Sequence, residues 1–450
     1  MENKRKVAYM NLGCKVNLYE TMAVIDEFVG NGFEIVEYSD YSDVYIINTC
    51  TVTQTSDSKS KKLIRQAHKK NPNAIVCVMG CYSQLNPLDA INLEGVNIVT
   101  GTSNRSKIYS EAMKLLNAQD FNKKVSLHEE YKDINCYENI KLDHFYDRTR
   151  GFVKIQDGCE NFCSYCAIPY ARGKFRSRDK ESIIEEIQLL INDNIKEIVL
   201  TGINTGAYGL DLNGYDFPCL LSDICENVNG LGRLRISSIE ATEVNAKLLD
   251  VMKKYDKHFC MHMHIPCQAA TDEVLKLMNR KYNLDYYKSV LKLVRSYFPL
   301  INITSDILTG FDGETNELFA IGKDNIESFN YGEIHVFPYS PRSNTLAYKK
   351  SIENKHKYDV NASIKKMRVN ELLALNEIKA LEYRNIFLGK TVDVLIEKVT
   401  GNKAFGHSSN YLEVEVSGDN LKENDLIFVR INKIGYPISY GEKLWQIKCF

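Results

Sequence analysis

The chain has 450 residues, 44% hydrophobic and 26% charged, with 57 Lys and Arg against 58 Asp and Glu. That length predicts two to three globular domains with ample core, and a formal net charge of −1 leaves any nucleic-acid contact to local patches. The 13 cysteines are odd in number and the opening MENKRK is polar, which argues against a secreted disulfide scaffold and for metal binding in a cytoplasmic protein. No apolar run approaches the ~18 residues of a membrane span, so no membrane partner is expected.

Residues 1–120 alternate short apolar runs with helical patterns. Lys6–Met10, Val44–Asn48 and Ala74–Met79 read as strands, Glu20–Gly30 and Ser58–Lys70 as helices. Such alternation predicts a parallel sheet, whose ligands sit at the carboxyl ends of its strands. A cysteine follows each run: Cys14 in NLGCKVN, Cys50 in NTCTVT and Cys81 in MGCYSQ. Three strand ends can meet at one point, and Gly13 and Gly80 would let the backbone come close. A three-thiolate cluster site is the functional expectation, three unrelated buried thiols the plain alternative. Cys77, inside AIVCVMG, reads as a small core residue. Lys59, Lys61, Lys62, Arg65, Lys69 and Lys70 gather on the helix after Cys50, as a phosphate contact or an ordinary solvated face.

Residues 121–150 turn polar and read as a linker, with Cys136 lacking a role. Residues 151–387 hold six strand candidates: Phe152–Gln156, Glu197–Thr201, Arg233–Ile239, Phe259–Ile265, Ile301–Leu308 and Glu333–Phe337. Helical patterns such as Ser182–Ile191, Leu248–Tyr255, Tyr286–Tyr297 and Glu314–Phe329 separate them. Six β-α units predict a partial barrel with its functional groups on the carboxyl-terminal rim.

After the first of these strands comes DGCENFCSYCAIPYARGKFRSR, which places Cys159, Cys163 and Cys166 in a C-x3-C-x2-C pattern. Tetrahedral zinc needs a fourth ligand, for which Cys136 and His144 are the nearest candidates. Three thiolates on a four-iron cluster instead leave one iron open, and the spacing suits that better. Gly202 and Asn204 follow the second strand, Ser238 and Glu240 the third, and His264 and Gln268 the fourth. Asp306 lies on the fifth strand, and Tyr339, Ser340 and Arg342 follow the sixth. A lone histidine such as His264 is usually structural; its company nominates it here. Gly310 and Gly313 are equally plain turn residues. Arg172, Lys174, Arg176 and Arg178 follow the cysteine loop.

Ala362–Ile386 is a long helical pattern. Residues 388–450 break into short alternating runs with Gly-containing turns, which predicts a small antiparallel barrel. Its eight Lys and Arg balance eight Asp and Glu, so charge does not support RNA binding there.

The cysteine pattern after a strand resembles the signature of the radical S-adenosylmethionine enzymes. With NLGCKVN, NTCTVT, MGCYSQ, VLTGINTG, ISSIE, HIPCQ, HVFPYSPR and the tail GHSSNY, the whole chain resembles the radical S-adenosylmethionine methylthiotransferases. The resemblance implies an N-terminal α/β domain, a central partial (β/α)6 barrel and a C-terminal β-domain of the TRAM type. It implies two 4Fe-4S clusters, one on Cys159, Cys163 and Cys166 that chelates S-adenosylmethionine and cleaves it to a 5′-deoxyadenosyl radical, the other on Cys14, Cys50 and Cys81. Gly202, Asn204, Ser238, Glu240, His264, Gln268 and Asp306 are then expected around the cofactor.

The motifs are most similar to the branch that places a methylthio group on carbon 2 of threonylcarbamoyladenosine beside the tRNA anticodon. Lys61, Lys62, Arg65, Arg172, Arg176, Tyr339 and Arg342 are expected to meet that substrate, an arginine pairing with its carboxylate. An electron donor such as flavodoxin or ferredoxin is implied. The alternatives are isopentenyladenosine in tRNA, an aspartate of a ribosomal protein, and a non-catalytic iron–sulfur RNA-binding protein. Cys267, followed by Ala269-Ala270, departs from the family's Leu and Ser-Gly, and is expected to line the site without ligating.

Overall fold

The computed structural model describes residues 4–50, 54–142, 144 and 149–446. Residues 51–53 of the NTCTVT motif and the last four residues of the expected tail barrel lie outside these.

Strands β1 (Lys6–Asn11), β2 (Glu34–Ile35), β3 (Val44–Thr49), β4 (Ile75–Gly80), β5 (Ile98–Val99) and β6 (Val125–Ser126) form a parallel sheet in the order β2-β1-β3-β4-β5-β6. VYIINT of β3 and IVCVMG of β4 are buried at every position, as strands covered on both faces must be. Val44 and Ile46 pack into one apolar layer, Tyr45 and Ile47 into the opposite one. Helix α1 (Lys15–Gly30) follows β1, α2 (Gln54–Lys70) follows β3, and the short α3 (Cys81–Leu85) follows β4 at once.

The segment expected as a linker is built into the structure. It supplies β6, Glu138 accepts from Arg105 at 2.8 Å, and the Tyr137 hydroxyl donates to Lys154 O at 2.8 Å. Polar composition there reflects pairing across an interface, not slack chain.

The barrel strands are β7 (Arg150–Asp157), β8 (Arg176–Ser177), β9 (Glu197–Gly202), β10 (Arg233–Ile236), β11 (His262–His264), β12 (Asn302–Thr309) and β13 (Glu333–Pro338). They form two sheets, β10-β9-β7-β8 and β11-β12-β13, joined by parallel bridges Leu234↔Phe259 and Ser238↔His264. Apart from β8, which pairs antiparallel with β7 at the edge, the strands run parallel as an open, partial barrel. The expected strand over 259–265 shrinks to β11, because His262 N–H turns back to Cys260 O at 2.8 Å. The helix Ala362–Asn385 packs on β13, where Asn376 accepts from Ile334 N–H at 2.7 Å.

Strands β14 (Thr391–Thr400), β15 (Lys403–Ser408), β16 (Glu413–Ser417), β17 (Leu426–Lys433) and β18 (Ile438–Gln446) close a barrel in the order β14-β15-β16-β18-β17. Four seams are antiparallel, while β16 and β18 run parallel. A closed ring with an odd number of strands cannot alternate direction at every seam. The tail barrel seats a loop against the starts of the central strands. Arg233 donates to His407 O at 3.1 Å, Arg235 to Ser409 O at 3.1 Å and Asn302 to Asn410 O at 2.8 Å. No helix among the described residues is long and apolar enough to cross a membrane.

Candidate active site

The loop that carries Cys159, Cys163 and Cys166 leaves β7 through Gly158, whose φ is +76° and where a Cβ would lie 1.7 Å from Lys174 O. Only glycine fits that turn. Neighbouring elements then hold the loop. Cys159 N–H donates to Gly173 O at 3.0 Å, Ser164 N–H to Met278 O at 2.9 Å, and Asn279 Nδ2 to Phe162 O at 2.8 Å. Arg280, which pairs with Glu240, lies 3.4 Å from Cys163 Sγ. Burial pushes the Cys159 thiol up to about 12 and raises Cys166 as well, with the charge of Cys163 adding to both effects. A metal centre would add to Arg280 the positive charge that keeps three such buried thiols ionised.

The N-terminal triad comes from three neighbouring strands. Cys14 caps α1 after β1, Cys50 follows β3, and Cys81 opens α3 after β4. The three strands are neighbours in the sheet, and the charges of Cys50 and Cys14 both act on Cys81. Burial lifts Cys81 to about 12 while Arg172 draws it down. At Gly80, φ is +105° and a Cβ would lie 2.3 Å from Asn48 Oδ1.

Among the described residues, only His264, Asp306 and His335 bring three candidate ligand atoms within 4.8 Å. His144 turns to Asp193 at 3.4 Å and Cys136 is exposed, and neither joins a triad. Cys159, Cys163 and Cys166 are free thiols on one loop, the donor type of iron–sulfur centres.

A buried ion network joins the two triads. Glu20 of α1 forms ion pairs with Arg105 at 2.6 Å, Lys154 at 2.7 Å and Arg172 at 2.7 Å, while Asp157, two residues before Cys159, pairs with Lys154 at 2.6 Å and Arg172 at 3.1 Å. Arg172 also reaches Asn17 Oδ1 at 3.2 Å, an atom 3.2 Å from Cys14 Sγ. Burial alone would raise Glu20; the Arg105, Arg172 and Lys154 cations outweigh it and hold the carboxyl at about 2. Arg172 and Arg176, expected to meet substrate, are therefore corrected. Both are buried, Arg172 neutralising Glu20 and Asp157, Arg176 donating to Lys174 O at 3.0 Å beside Asp157.

The cofactor candidates line the rim. A cavity of about 250 Å³ is bounded by Tyr165, Cys166, Gln268, Asp306, Tyr339 and Arg342. A second, of about 270 Å³, shares Ala167 and Arg342 with it and reaches Lys61 and Tyr82 of the N-terminal domain. Gly202 ends β9, Asn204 N–H donates to Gln156 Oε1 at 2.9 Å, and Ser238 is exposed beside His264. His264 Nε2 lies 3.3 Å from Asp306 Oδ1. Lys61 is tied to Asp89 at 2.8 Å, whereas Lys62 and Arg65 stand exposed on α2. The Tyr339 ring packs on Phe311 at 4.8 Å. Cys267, expected to line the site, is buried in the core, its thiol donating to Ala269 O at 3.0 Å.

Sequence reasoning missed Arg280, Glu20, His335 and Glu243. Burial and the charge of Glu240 push Glu243 up to about 8, with Asn204 and Arg280 opposing the shift. The Glu240–Glu243 spacing of a capping box was its one local signal.

Two family models match, Radical SAM superfamily over residues 153–320 and Uncharacterized protein family UPF0004 over residues 6–101. Threonylcarbamoyladenosine tRNA methylthiotransferase MtaB of Bacillus subtilis (strain 168) is 38% identical over 447 residues, covering 97% of this chain and 96% of that protein. The chain belongs to the radical SAM methylthiotransferase family. Another relative, the tRNA-2-methylthio-N(6)-dimethylallyladenosine synthase of Thermoanaerobacter sp. (strain X514), is 32% identical over 99% of this chain and 95% of that protein. Among solved structures, the radical S-adenosylmethionine methyltransferase TsrM from Kitasatospora setae, with cobalamin and a [4Fe-4S] cluster bound, shares the fold. Its TM-score is 0.57 at 14% identity, over 80% of each chain. This methylthiotransferase is thus a transferase whose superfamily works with a 4Fe-4S cluster and S-adenosylmethionine.

Proposed function

We propose that the protein transfers a methylthio group to carbon 2 of threonylcarbamoyladenosine in tRNA, in the cytoplasm. The observation that carries this reading is the 38% identity, end to end, with a relative named for that reaction, against 32% for the relative named for dimethylallyladenosine. Cys159, Cys163 and Cys166 would hold the cluster that chelates S-adenosylmethionine, and Cys14, Cys50 and Cys81 a second one. Carbon 2 of adenine carries an unactivated hydrogen that no side-chain acid or base removes, so the bound cofactor supplies the radical chemistry.

The chain's own residues bind and orient. Arg280 braces Glu240 and Cys163, and Gln156 and Asn204 fix the turn after β9. The Glu20–Arg172–Asp157 network sets the spacing between the two cysteine triads, so that one nucleoside can meet both. Reduction requires a donor protein such as flavodoxin or ferredoxin, and Lys62 and Arg65 are placed to meet tRNA phosphates. The test gives reduced protein S-adenosylmethionine with tRNA bearing each modification separately. Methylthio product from threonylcarbamoyl-bearing tRNA alone is the expected result; product only from isopentenyl-bearing tRNA, or only from a ribosomal protein, overturns it.

A further inference from the structure

Three neighbouring strands, β11, β12 and β13, bring metal-type donors to one level of the partial barrel. Asp306 of β12 lies in register with His335 of β13, and His264 of β11 with Thr304, two residues before Asp306. Strand alternation turns Asp306, Leu308, His335 and Phe337 to one face, while Ile307 and Ile334 enter the core. Asp306, Leu308 and Phe337 line the cavity of about 250 Å³ beside Cys166, which makes this the lumen face.

His264 Nε2 is 3.3 Å from Asp306 Oδ1. Two ligand atoms about 2.1 Å from one ion at a tetrahedral angle stand about 3.4 Å apart, so this pair already spans one edge of a coordination shell. A donor of His335 lies within 4.8 Å of both partners. The His335 ring is exposed, its centroid 5.8 Å from that of His264, and among the described residues no hydrogen bond or ion pair holds its nitrogens. A side-chain rotation therefore closes the remaining gap at little cost, and an ion reaches the cluster from the open side of the lumen.

Thr304 supplies the orientation. Its Oγ1 is 2.9 Å from His264 Nδ1 and 2.8 Å from His262 Nε2. A hydroxyl that donates to His262 Nε2 and accepts from His264 Nδ1–H leaves the His264 Nε2 lone pair facing the Asp306 carboxylate. Two acceptors that close are held together by a cation between them.

We propose that His264, Asp306 and His335 bind a divalent transition-metal ion in the barrel lumen, with Thr304 as the positioning residue for His264. Two imidazoles and a carboxylate, without a thiolate, suit Mn²⁺, Fe²⁺ or Zn²⁺ and set this site apart from both cysteine triads. Three protein ligands leave further coordination positions open. The assignment gives His264 and Asp306 a role other than contact with S-adenosylmethionine, and it does not depend on which nucleoside is the substrate.

The test uses reconstituted protein, with its clusters oxidised and silent in electron paramagnetic resonance, and Mn²⁺ alone as the probe. Loss of the free-ion spectrum measures binding, and pulsed spectra report coordinated histidine through its nitrogen modulation. Wild type should bind a single Mn²⁺ ion per chain with that modulation. His335→Ala and Asp306→Asn should each lose the site while keeping the wild-type iron content. Thr304→Val should weaken binding by about 10–100-fold, as removal of a hydrogen bond behind a ligand does. Should Asp306→Asn lose iron, His335→Ala, whose side chain is exposed, carries the comparison. No binding by wild type, binding without the nitrogen modulation, or binding unchanged by His335→Ala overturns the proposal.

Discussion

Arg172 Nη1 lies 2.7 Å from Glu20 Oε1, and solvent reaches neither side chain. One residue belongs to the cysteine loop's own helix in the barrel, the other to α1 of the N-terminal domain, 152 positions away. The pair sits between the two cysteine triads, with Asn17 and Asp157 completing the path from Cys14 to Cys159. A charge left alone there would be costly. Replacing Arg172 with Met should therefore destabilise the protein by about 3–5 kcal/mol, the penalty for stranding a buried partner. Replacing Glu20 and Arg172 together by Gln and Met should cost less than the sum of the single changes. Urea unfolding of the three variants measures both; strictly additive effects would contradict the direct coupling.

Stability should depend on pH through two carboxyls with opposite signs. Glu20 is held at about 2, below its ordinary value of 4.5, so its contribution is complete above pH 4.5 and is lost as pH falls towards 2. Glu243 is raised to about 8, so the folded state holds a proton that the unfolded state releases from pH 4.5 upward. Its contribution is complete below pH 4.5 and fades as pH rises to 8. Glu243→Gln should flatten the decline between pH 5 and 8 in cofactor-free protein, as followed by thermal unfolding. An unchanged slope would place the titrating group elsewhere.

Anaerobically reconstituted protein should carry about eight irons, from two four-iron clusters. Alanine at Cys159, Cys163 and Cys166 should remove about half and abolish S-adenosylmethionine cleavage. Alanine at Cys14, Cys50 and Cys81 should remove the other half while some cleavage persists. Iron analysis decides this, and loss of all iron from either variant would mean one shared centre.

Lys62 and Arg65 are exposed on α2, whereas Lys61 is tied to Asp89. Neutralising Lys62 and Arg65 should weaken tRNA binding and lower the slope of log affinity against log salt by about 2, one for each phosphate left without its cation. Neutralising Lys61 should matter less. Fluorescence titration at several salt concentrations measures the slopes; equal slopes for wild type and the Lys62/Arg65 variant would return α2 to being an ordinary solvated face.

The three-part plan could be read from the sequence because its causes are local, and the same local patterns are what nominate the two cysteine triads. Apolar runs buried on both faces mark β3 and β4, C-x3-C-x2-C brings three thiols together within one loop, and strand ends in a parallel sheet converge wherever they lie in the chain. The tail barrel was legible in its short alternating runs, although its parallel seam β16–β18 was not. What tertiary structure alone decided is which charges meet. Arg172 and Arg176 look like rim residues in the sequence, yet Glu20 and Asp157 draw them into the interior. Cys267 sits next to rim residues in sequence and points into the core instead. Periodicity and spacing report the neighbours a residue has along its own element. The partner of a buried charge is chosen by the docking of elements more than a hundred residues apart, and a linear pattern carries no trace of that distance.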